Sequence, residues 1–143
     1  MGPMASDWDR WFVVDTSAII TVAFEEPGWQ EVHSILGSAR SALIPAPAFL
    51  EACMVISRVA DRDATAQVER VLSRIGATVV PLDHACARLA VEAFLEFGKG
   101  RHPAQLNFGD CMVYAVAKLR RLPILCTGDD FAQTGIATLP SAR

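Results

Sequence analysis

The apolar positions of the chain follow two spacings that alternate from one end to the other. Short unbroken apolar runs predict strands at 11–14, 42–44, 78–80 and 123–126, with a last edge strand at 137–139. Between them, apolar residues recur every three or four positions, which predicts helices at 16–24, 28–36, 48–59, 64–75, 84–98 and 109–119. The segment TGDDF is expected to open one further short helix.

This alternation favours an α/β fold, namely a three-layer α/β/α sandwich with a mostly parallel central sheet. A length of 143 residues allows one well-packed domain and is too short for two ordinary ones. A single domain is predicted over residues 7–143, and residues 1–6 are expected to be a disordered N-terminus or a cloning remnant. The acidic first segment lacks the basic start and the apolar stretch of a secretory signal.

The composition is that of a packed globule, because 52% of the residues are hydrophobic and 20% are charged. No apolar run approaches the ~20 residues that a membrane span requires. The cysteines lie scattered in apolar segments, without a C-x-x-C pair, at Cys53, Cys86, Cys111 and Cys126. We interpret them as buried free thiols in a reducing cytoplasm, with a zinc site or a disulfide as the less favoured alternatives.

Four acids from distant parts of the sequence are predicted to meet at one edge of the sheet. In an open parallel α/β sheet, ligands bind at the carboxyl ends of the strands. Asp15 directly follows the first predicted strand, and Asp129 follows the predicted strand at 123–126. Glu51 and Asp110 lie near the starts of helices that follow loops, so each side chain can point back to that edge.

Such a cluster of acids predicts a divalent metal site. Crowded carboxylates repel one another and raise each other's pKa, and a hard cation removes that penalty. Mg²⁺ or Mn²⁺ prefers oxygen ligands, whereas zinc would need a His or Cys set that is not evident here. This chemistry suits phosphodiester hydrolysis. The net charge of −3 does not oppose a polyanionic substrate, since four acids at a metal site leave +1 for the rest of the chain.

Each acid also has a structural interpretation. Asp15 could cap the following helix, although Thr16 and Ser17 could cap it equally well and would free Asp15 for metal. Glu51 taken alone would be a solvated helix residue, but its neighbours are almost all apolar, which makes an acid at that point unusual. Asp110 heads an apolar helix and could cap it, and the helix dipole would suit either role.

The order and context of these acids resemble those of the PIN-domain nucleases, especially the VapC-type toxins of bacterial toxin–antitoxin pairs. The resemblance extends from Phe12 to about Leu139 and rests on four segments, FVVDTSAII, AFLEACMVI, LNFGDCMVYAVAKLRRLPIL and CTGDDF. None of these segments is specific alone, whereas all four acids in this order, each in its helix and strand context, are a specific pattern.

The resemblance implies an endoribonuclease that depends on Mg²⁺ or Mn²⁺, forms a homodimer and is inhibited by a cognate antitoxin. Association with DNA would then be indirect, through the antitoxin, and cleavage would leave a 5′-phosphate and a 3′-hydroxyl. By motif match, Asp15 and Asp110 are the best metal ligands, and Glu51 would bind the metal or orient the water. Catalysis is thus expected to rest on these acids.

The fourth acid and the supporting residues follow from the same match. Asp129 is favoured because it stands two residues after Thr127, and Asp130 is the alternative fourth ligand. Whichever of the two is not the ligand is expected to serve only in the first turn of the next helix. Thr16 and Ser17, together with Thr127, are expected to support the acids or contact the substrate.

Two further regions have open interpretations. The loop GKGRHPAQLN carries Lys99, Arg101 and His102, which could be solvated charges of a flexible surface loop or contacts to RNA phosphates. His102 as a general base is the less favoured idea. Four aromatic residues lie near the N-terminal helices, at Trp8, Trp11, Phe24 and Trp29. They could pack in the core, or they could line a groove for an antitoxin or a second subunit.

Two rival functions remain beside the nuclease. A phosphatase or phosphotransfer domain also places acids at strand ends. Such phosphatases, however, need a second aspartate two residues after the first, and that position is occupied here by Ser17. A catalytically silent RNA- or protein-binding module would use the same acids as structural residues. Turnover that depends on Mg²⁺ would separate the nuclease from the binding module.

Overall fold

The computed structural model describes residues 11–39 and 41–140. Within these ranges, one parallel sheet contains the strands β1 (Trp11–Val14), β2 (Ser41–Pro45), β3 (Ala77–Val80), β4 (Ile124–Leu125) and β5 (Thr138–Leu139). Their order across the sheet is β3-β2-β1-β4-β5. The predicted strands are confirmed, and β5 lies at an edge as expected. The expectation for residues 1–6 and the interpretation of Trp8 fall outside the described residues.

The predicted helices are confirmed to within a few residues at their ends. The α-helices of the described ranges are α1 (Thr16–Ala23), α2 (Trp29–Gly37), α3 (Ala46–Ala60), α4 (Thr65–Arg74), α5 (His84–Phe97) and α6 (Phe108–Arg120). The segment after β4 differs, because the helix expected to open at TGDDF is only a 3-10 turn at Ala132–Thr134. Gly128 and Gly135 both have positive φ, and they bound a segment too short for an α-helix.

The core lies between the sheet and the helices that cover it. Phe12, Val13 and Val14 of the central strand have no exposed surface, and burial of each such side chain contributes roughly 1.5–3 kcal/mol. Helix α6 adds a continuous buried stretch from Cys111 to Ala117. Helix α5 packs against α6, while α1 packs against α2 and α3. The predicted α/β/α sandwich with a parallel sheet is therefore confirmed.

The order in which strands are added to the sheet changes direction at β1. From β1 the chain adds β2 and β3 on one side, and it later returns to place β4 and β5 on the other side. Such a reversal leaves a crevice at the carboxyl ends of the two flanking strands, here β1 and β4. Asp15 follows β1 directly, and its backbone N–H donates to the carbonyl of Leu125 at 3.0 Å. The residues after β4 therefore lie beside Asp15.

The cysteines are confirmed as buried free thiols. None of the helices in the described ranges is long and apolar enough to cross a membrane.

Candidate active site

Asp15 is the N-cap of α1. It has extended backbone angles, φ −82° and ψ 154°, because it follows the last residue of β1 directly. Its Oδ2 accepts hydrogen bonds from the Ser17 N–H at 3.0 Å and from the Ser17 hydroxyl at 2.6 Å. Of the two alternatives that the sequence left open, the cap is therefore Asp15 and not Thr16 or Ser17. Ser17 instead donates to the carboxylate that caps the helix.

The carboxylate of Asp15 is also buried, with 7% of its surface exposed. Burial raises the pKa of Asp15, the hydrogen bonds from Ser17 oppose that rise, and the negative charge of Glu51 adds to it. A buried carboxylate that is charged costs free energy unless positive charge compensates it. Asp15 therefore lies where a cation would be most stabilising.

Ser17 connects the two sides of the crevice. While its hydroxyl donates to Asp15, its oxygen accepts the backbone N–H of Thr127 at 3.0 Å, across 110 residues of sequence. The hydroxyl of Thr21 lies 3.2 Å from that of Thr127 and 3.3 Å from an oxygen of Glu26. The turn after β1 and the segment after β4 are thus joined by side-chain hydrogen bonds at the point where the acids lie.

Thr16 has a different role from that of Ser17. Its buried hydroxyl donates to the carbonyl of Ala48, in the first turn of α3, at 3.2 Å. This hydrogen bond fixes α1 against the helix that carries Glu51. Thr16 therefore helps to set the position of α1 relative to α3, and its hydroxyl does not bond to Asp15.

Asp110 lies in the first turn of α6 and belongs to a capping box with Asn107. The Asn107 side chain accepts the Asp110 N–H at 2.8 Å, and Oδ2 of Asp110 accepts the Asn107 N–H at 3.1 Å. Burial raises the pKa of Asp110 to about 6, the hydrogen bond from Asn107 opposes this, and the charges of Asp15, Asp130 and Glu51 add to it. Asp110 therefore caps its helix and also lies within the electrostatic field of the other acids.

Glu51 is exposed on α3 and reaches the start of α6. A Cβ atom added to Gly109 would lie 3.3 Å from Oε2 of Glu51, so a side chain there would require the Glu51 carboxylate to shift by a few tenths of an ångström. The glycine leaves room for this approach. Because Asp110 is the next residue, the glycine brings the carboxylate from α3 alongside the one from α6.

Asp130 lies close enough to Asp110 for its charge to act on that residue. Its charge raises the pKa of Asp110 and that of the Cys126 thiol, and Asp129 is not among the carboxylates that do so. Asp129 instead contributes its backbone carbonyl, which accepts the N–H of Gln133 at 3.2 Å. The preference of the sequence analysis for Asp129, with Asp130 as the alternative, stays a prediction.

The donor chemistry of this site suits a hard cation. Its side chains offer carboxylate oxygens, which Mg²⁺ and Mn²⁺ prefer. Burial, with a contribution from Asp15, raises the pKa of the nearby Cys126 thiol to about 12, and a protonated thiol is a poor metal ligand. In the described part of the chain, no three acidic, histidine or cysteine side chains already converge as closely as ligands around one ion.

The loop that precedes α6 is held by backbone hydrogen bonds at both of its ends. The Lys99 N–H donates to the carbonyl of Leu106, and the Leu106 N–H donates to the carbonyl of Phe97, each at 3.0 Å. His102 packs edge-on against Phe97, and its Nδ1 accepts the Ala104 N–H at 3.0 Å. The loop is thus organised, and the Nδ1 of His102 is used to hold it.

Two residues at the start of α6 were missed by sequence reasoning. Asn107 is the N-cap, and the spacing of an Asn three residues before an acid is a capping-box signal that identifies it. Phe108 is 84% exposed although it opens an otherwise apolar helix, and no sequence signal separates it from the core residues that follow. Trp11 and Phe24 are also exposed, so core packing does not account for them fully.

Comparisons with known proteins identify the family of the chain. The family model described as the PIN domain matches residues 12–137. The chain is 41% identical to Ribonuclease VapC36 of Mycobacterium tuberculosis over 125 residues, which cover 87% of this chain and 90% of that protein. It is 36% identical to Ribonuclease VapC42 of the same species, again over 125 residues, covering 87% and 95%.

Solved structures show the same fold at low sequence identity. The crystal structure of Mycobacterium tuberculosis VapC20, described as a sarcin-ricin loop cleaving toxin, superposes with a TM-score of 0.74 at 14% identity and covers 90% of this chain and 98% of that one. A toxin–antitoxin complex from Klebsiella pneumoniae contains a chain that superposes with a TM-score of 0.68 at 18% identity, covering 92% and 99%. At these identities the likeness concerns the fold.

Proposed function

The chain belongs to the PIN-domain family and is a VapC-type ribonuclease toxin by its similarity, and from this premise we propose that it hydrolyses RNA phosphodiester bonds with Mg²⁺ or Mn²⁺. The observation that carries the proposal is the position of Asp15 in the crevice where the strand order changes, buried and beside the acids of α3 and α6, whose negative charge helps to raise the pKa of Asp15 and Asp110. Charged carboxylates so placed are costly without a cation.

Asp15 and Asp110 would hold the metal, with Glu51 and Asp130 completing the acidic ring. A bound divalent cation would supply positive charge for the phosphate oxygens and would activate the attacking water. Asp15 contributes a carboxylate whose orientation is fixed before any ligand arrives, because both hydrogen bonds from Ser17 reach its Oδ2. Asp130 is preferred to Asp129 as the fourth acid because its charge acts on Asp110.

Ser17 and Thr127 would position the site without contacting the reacting phosphate. Ser17 orients Asp15 and holds the backbone of Thr127, so the segment that carries Asp130 is kept beside the turn after β1. Partners of metal ligands typically contribute 10–100-fold to activity or metal affinity, and we expect an effect of this size for Ser17.

An antitoxin is the protein partner that the comparisons support, since one structural neighbour is a toxin–antitoxin complex. We extend the proposal to a homodimer that acts on RNA. The loop cations Lys99 and Arg101 would bind substrate phosphates, because the loop that carries them leads directly into the helix of Asp110. His102 would keep this loop in shape.

The test is cleavage of single-stranded RNA by the purified protein. Wild-type protein should cut RNA when Mg²⁺ or Mn²⁺ is present, should stop when EDTA is added, and should leave 5′-phosphate ends. Asp110→Asn, purified in the same way, is the control for a contaminating nuclease, and its activity should be lost. RNA binding without turnover at any Mg²⁺ or Mn²⁺ concentration would support a binding module and overturn the proposal.

A further inference from the structure

Thr21 is a buried threonine of α1 whose hydroxyl bonds to two other segments of the chain. Only 2% of its surface is exposed. Its hydroxyl lies 3.2 Å from the hydroxyl of Thr127, which follows β4, and 3.3 Å from Oε1 of Glu26, in the loop after α1. A buried hydroxyl needs hydrogen-bond partners, and these two satisfy it. Thr21 therefore links the loop after α1 to the segment after β4.

The direction of these two hydrogen bonds follows from the chemistry of the groups. A carboxylate can only accept a hydrogen bond, and a hydroxyl has one proton to donate. Thr21 therefore donates its proton to Glu26, and its oxygen accepts the hydroxyl proton of Thr127. The proton of the Thr127 hydroxyl is thus committed to α1, and toward any other group the Thr127 oxygen can only accept.

Ser17 and Thr21 hold Thr127 in the same way. They lie four residues apart on α1, and therefore on one face of the helix. Ser17 donates to the carboxylate of Asp15 and accepts the backbone N–H of Thr127. Thr21 donates to the carboxylate of Glu26 and accepts the hydroxyl of Thr127. Thr127 is thus held by its backbone and by its side chain, and an acid orients each hydroxyl that holds it.

The backbone after α1 places Glu26 for this contact. Glu25 has a φ of 49°, in the left-handed region that residues other than glycine rarely adopt. The turn made there brings the Glu26 N–H to the carbonyl of Thr21 at 2.9 Å, so the backbone and the side chain of Glu26 bond to the same residue. The carbonyl of Glu26 accepts the N–H of Trp29 at 3.0 Å. Glu26 is therefore an exposed glutamate that its loop holds in one place.

We propose that Glu26 is a positioning residue of the nuclease site, which acts through Thr21 and Thr127 on the segment 128–130, where the two candidates for the fourth acid lie. The inference rests on the proposed ribonuclease function and adds to it a residue outside the acidic crevice. Both O···O distances of Thr21 exceed the 2.6 Å of the hydrogen bond that Ser17 donates, so we expect a smaller effect than that of Ser17.

The experiment compares Glu26→Ala with Glu25→Ala, which removes the same atoms and the same charge from the neighbouring residue. With single-stranded RNA and Mg²⁺, Glu26→Ala should lower kcat by about three- to tenfold with little change in KM, because the acceptor for Thr21 is lost. Glu26→Gln keeps an acceptor oxygen and should recover most of the activity, and Glu25→Ala should keep the kcat of wild type. An equal fall of KM in both alanine variants, with kcat unchanged, would show that these acids only repel RNA and would overturn the proposal.

A second measurement tests the path through Thr21. Thr21→Val keeps the shape of the side chain and removes the hydroxyl, whereas Thr21→Ser keeps the hydroxyl and should retain activity. If Glu26 acts through Thr21, Glu26→Ala should have no further effect on kcat in the Thr21→Val protein. Losses that multiply in the double variant would show two independent effects, and the proposed path would be wrong.

The third measurement does not depend on catalysis. In metal-free protein with labelled threonine methyl groups, Glu26→Ala and Thr21→Val should both shift the NMR signal of the Thr127 methyl group, and Glu25→Ala should leave it in place. An unmoved Thr127 signal in Glu26→Ala would overturn the proposed path. If wild-type protein cleaves RNA and Glu26→Ala has the same kcat, the positioning role alone is wrong. If wild-type protein does not cleave RNA, the ribonuclease proposal is wrong, and the role of Glu26 falls with it.

Discussion

The two sides of the acidic crevice are built in different ways. On the β1 side, Asp15 is buried and accepts two hydrogen bonds from Ser17, which also holds Thr127. On the α6 side, Glu51 is exposed and Phe108 stands in solvent beside it. The first side is organised before any ligand arrives, and the second is free to adjust. In a nuclease of the proposed kind, the first side would supply a pre-oriented metal ligand, and the second would adapt to the RNA around it.

The sharpest test of this difference compares the loss of Asp15 with the loss of Glu51. Asp15→Asn should lower kcat/KM for RNA by about 10³-fold or more, and excess metal should not restore it, because a buried neutral amide cannot be replaced by solvent. Glu51→Gln should cost about 10–100-fold and recover in part at high Mg²⁺, since water can reach that position. Activity is measured for both variants across a range of Mg²⁺ concentrations. If high Mg²⁺ restores the two variants equally, the two sides of the crevice do not differ in the way described.

The choice of the fourth acid is tested by two neighbouring substitutions. Asp130→Asn should lower kcat/KM by about 10–100-fold because its charge acts on Asp110, while Asp129→Asn should stay within about threefold of wild type. The two variants change the same net charge in the same segment, so each is the control of the other. The reverse order of effects would reinstate Asp129, as the sequence had favoured.

Ser17 offers a test of the organised side alone. Ser17→Ala removes the hydrogen bonds to Asp15 and Thr127, and we expect about a 10–30-fold loss of kcat/KM with little change in KM. Ser17→Thr keeps a hydroxyl and should recover most of the activity. Hydrogen exchange at the Thr127 amide should become faster in the alanine variant, and unchanged exchange would show that Ser17 does not hold that segment.

The smallest effect is one of stability, on the adjustable side. Burial raises the pKa of Asp110 to about 6, so between pH 4 and pH 6 the folded state binds a proton that the unfolded state has released. The stability that this proton contributes is present at low pH, and it is lost as the pH rises through the folded-state pKa.

In metal-free protein at pH 7.5, Asp110→Asn should therefore raise Tm, by roughly 2–4 °C because the carboxylate is only partly buried, and this gain should vanish near pH 4. Adding Mg²⁺ should raise the Tm of the wild type and leave that of the variant nearly unchanged. Thermal melts across pH, with and without EDTA, measure both effects. An equal Mg²⁺ shift in the two proteins would separate Asp110 from metal binding.

The sequence was sufficient for the strands, the helices and the positions of the acids along them. Hydrophobic spacing identifies each element because burial of one face determines it, as for β1 and α6. The sequence could not decide which of Asp129 and Asp130 is the fourth site acid. The two are adjacent in a turn, and which side chain faces the other acids depends on the backbone angles of that turn. Nor could it find the exposure of Phe108, which depends on what α3 and α5 leave uncovered. For Asp15 the sequence analysis treated capping and metal binding as alternatives, whereas in the structure Asp15 caps α1 and also lies beside the other acids.

The hydrogen bond from Thr127 to Ser17 also bears on how such a toxin is made. Its donor and acceptor are 110 residues apart, so a ribosome must synthesise nearly the entire domain before the two can meet. A nascent chain that stops before β4 lacks one of the two strands that flank β1, and it lacks the segment after β4 that forms one side of the acidic crevice. We therefore expect fragments that end before β4 to lack the complete site.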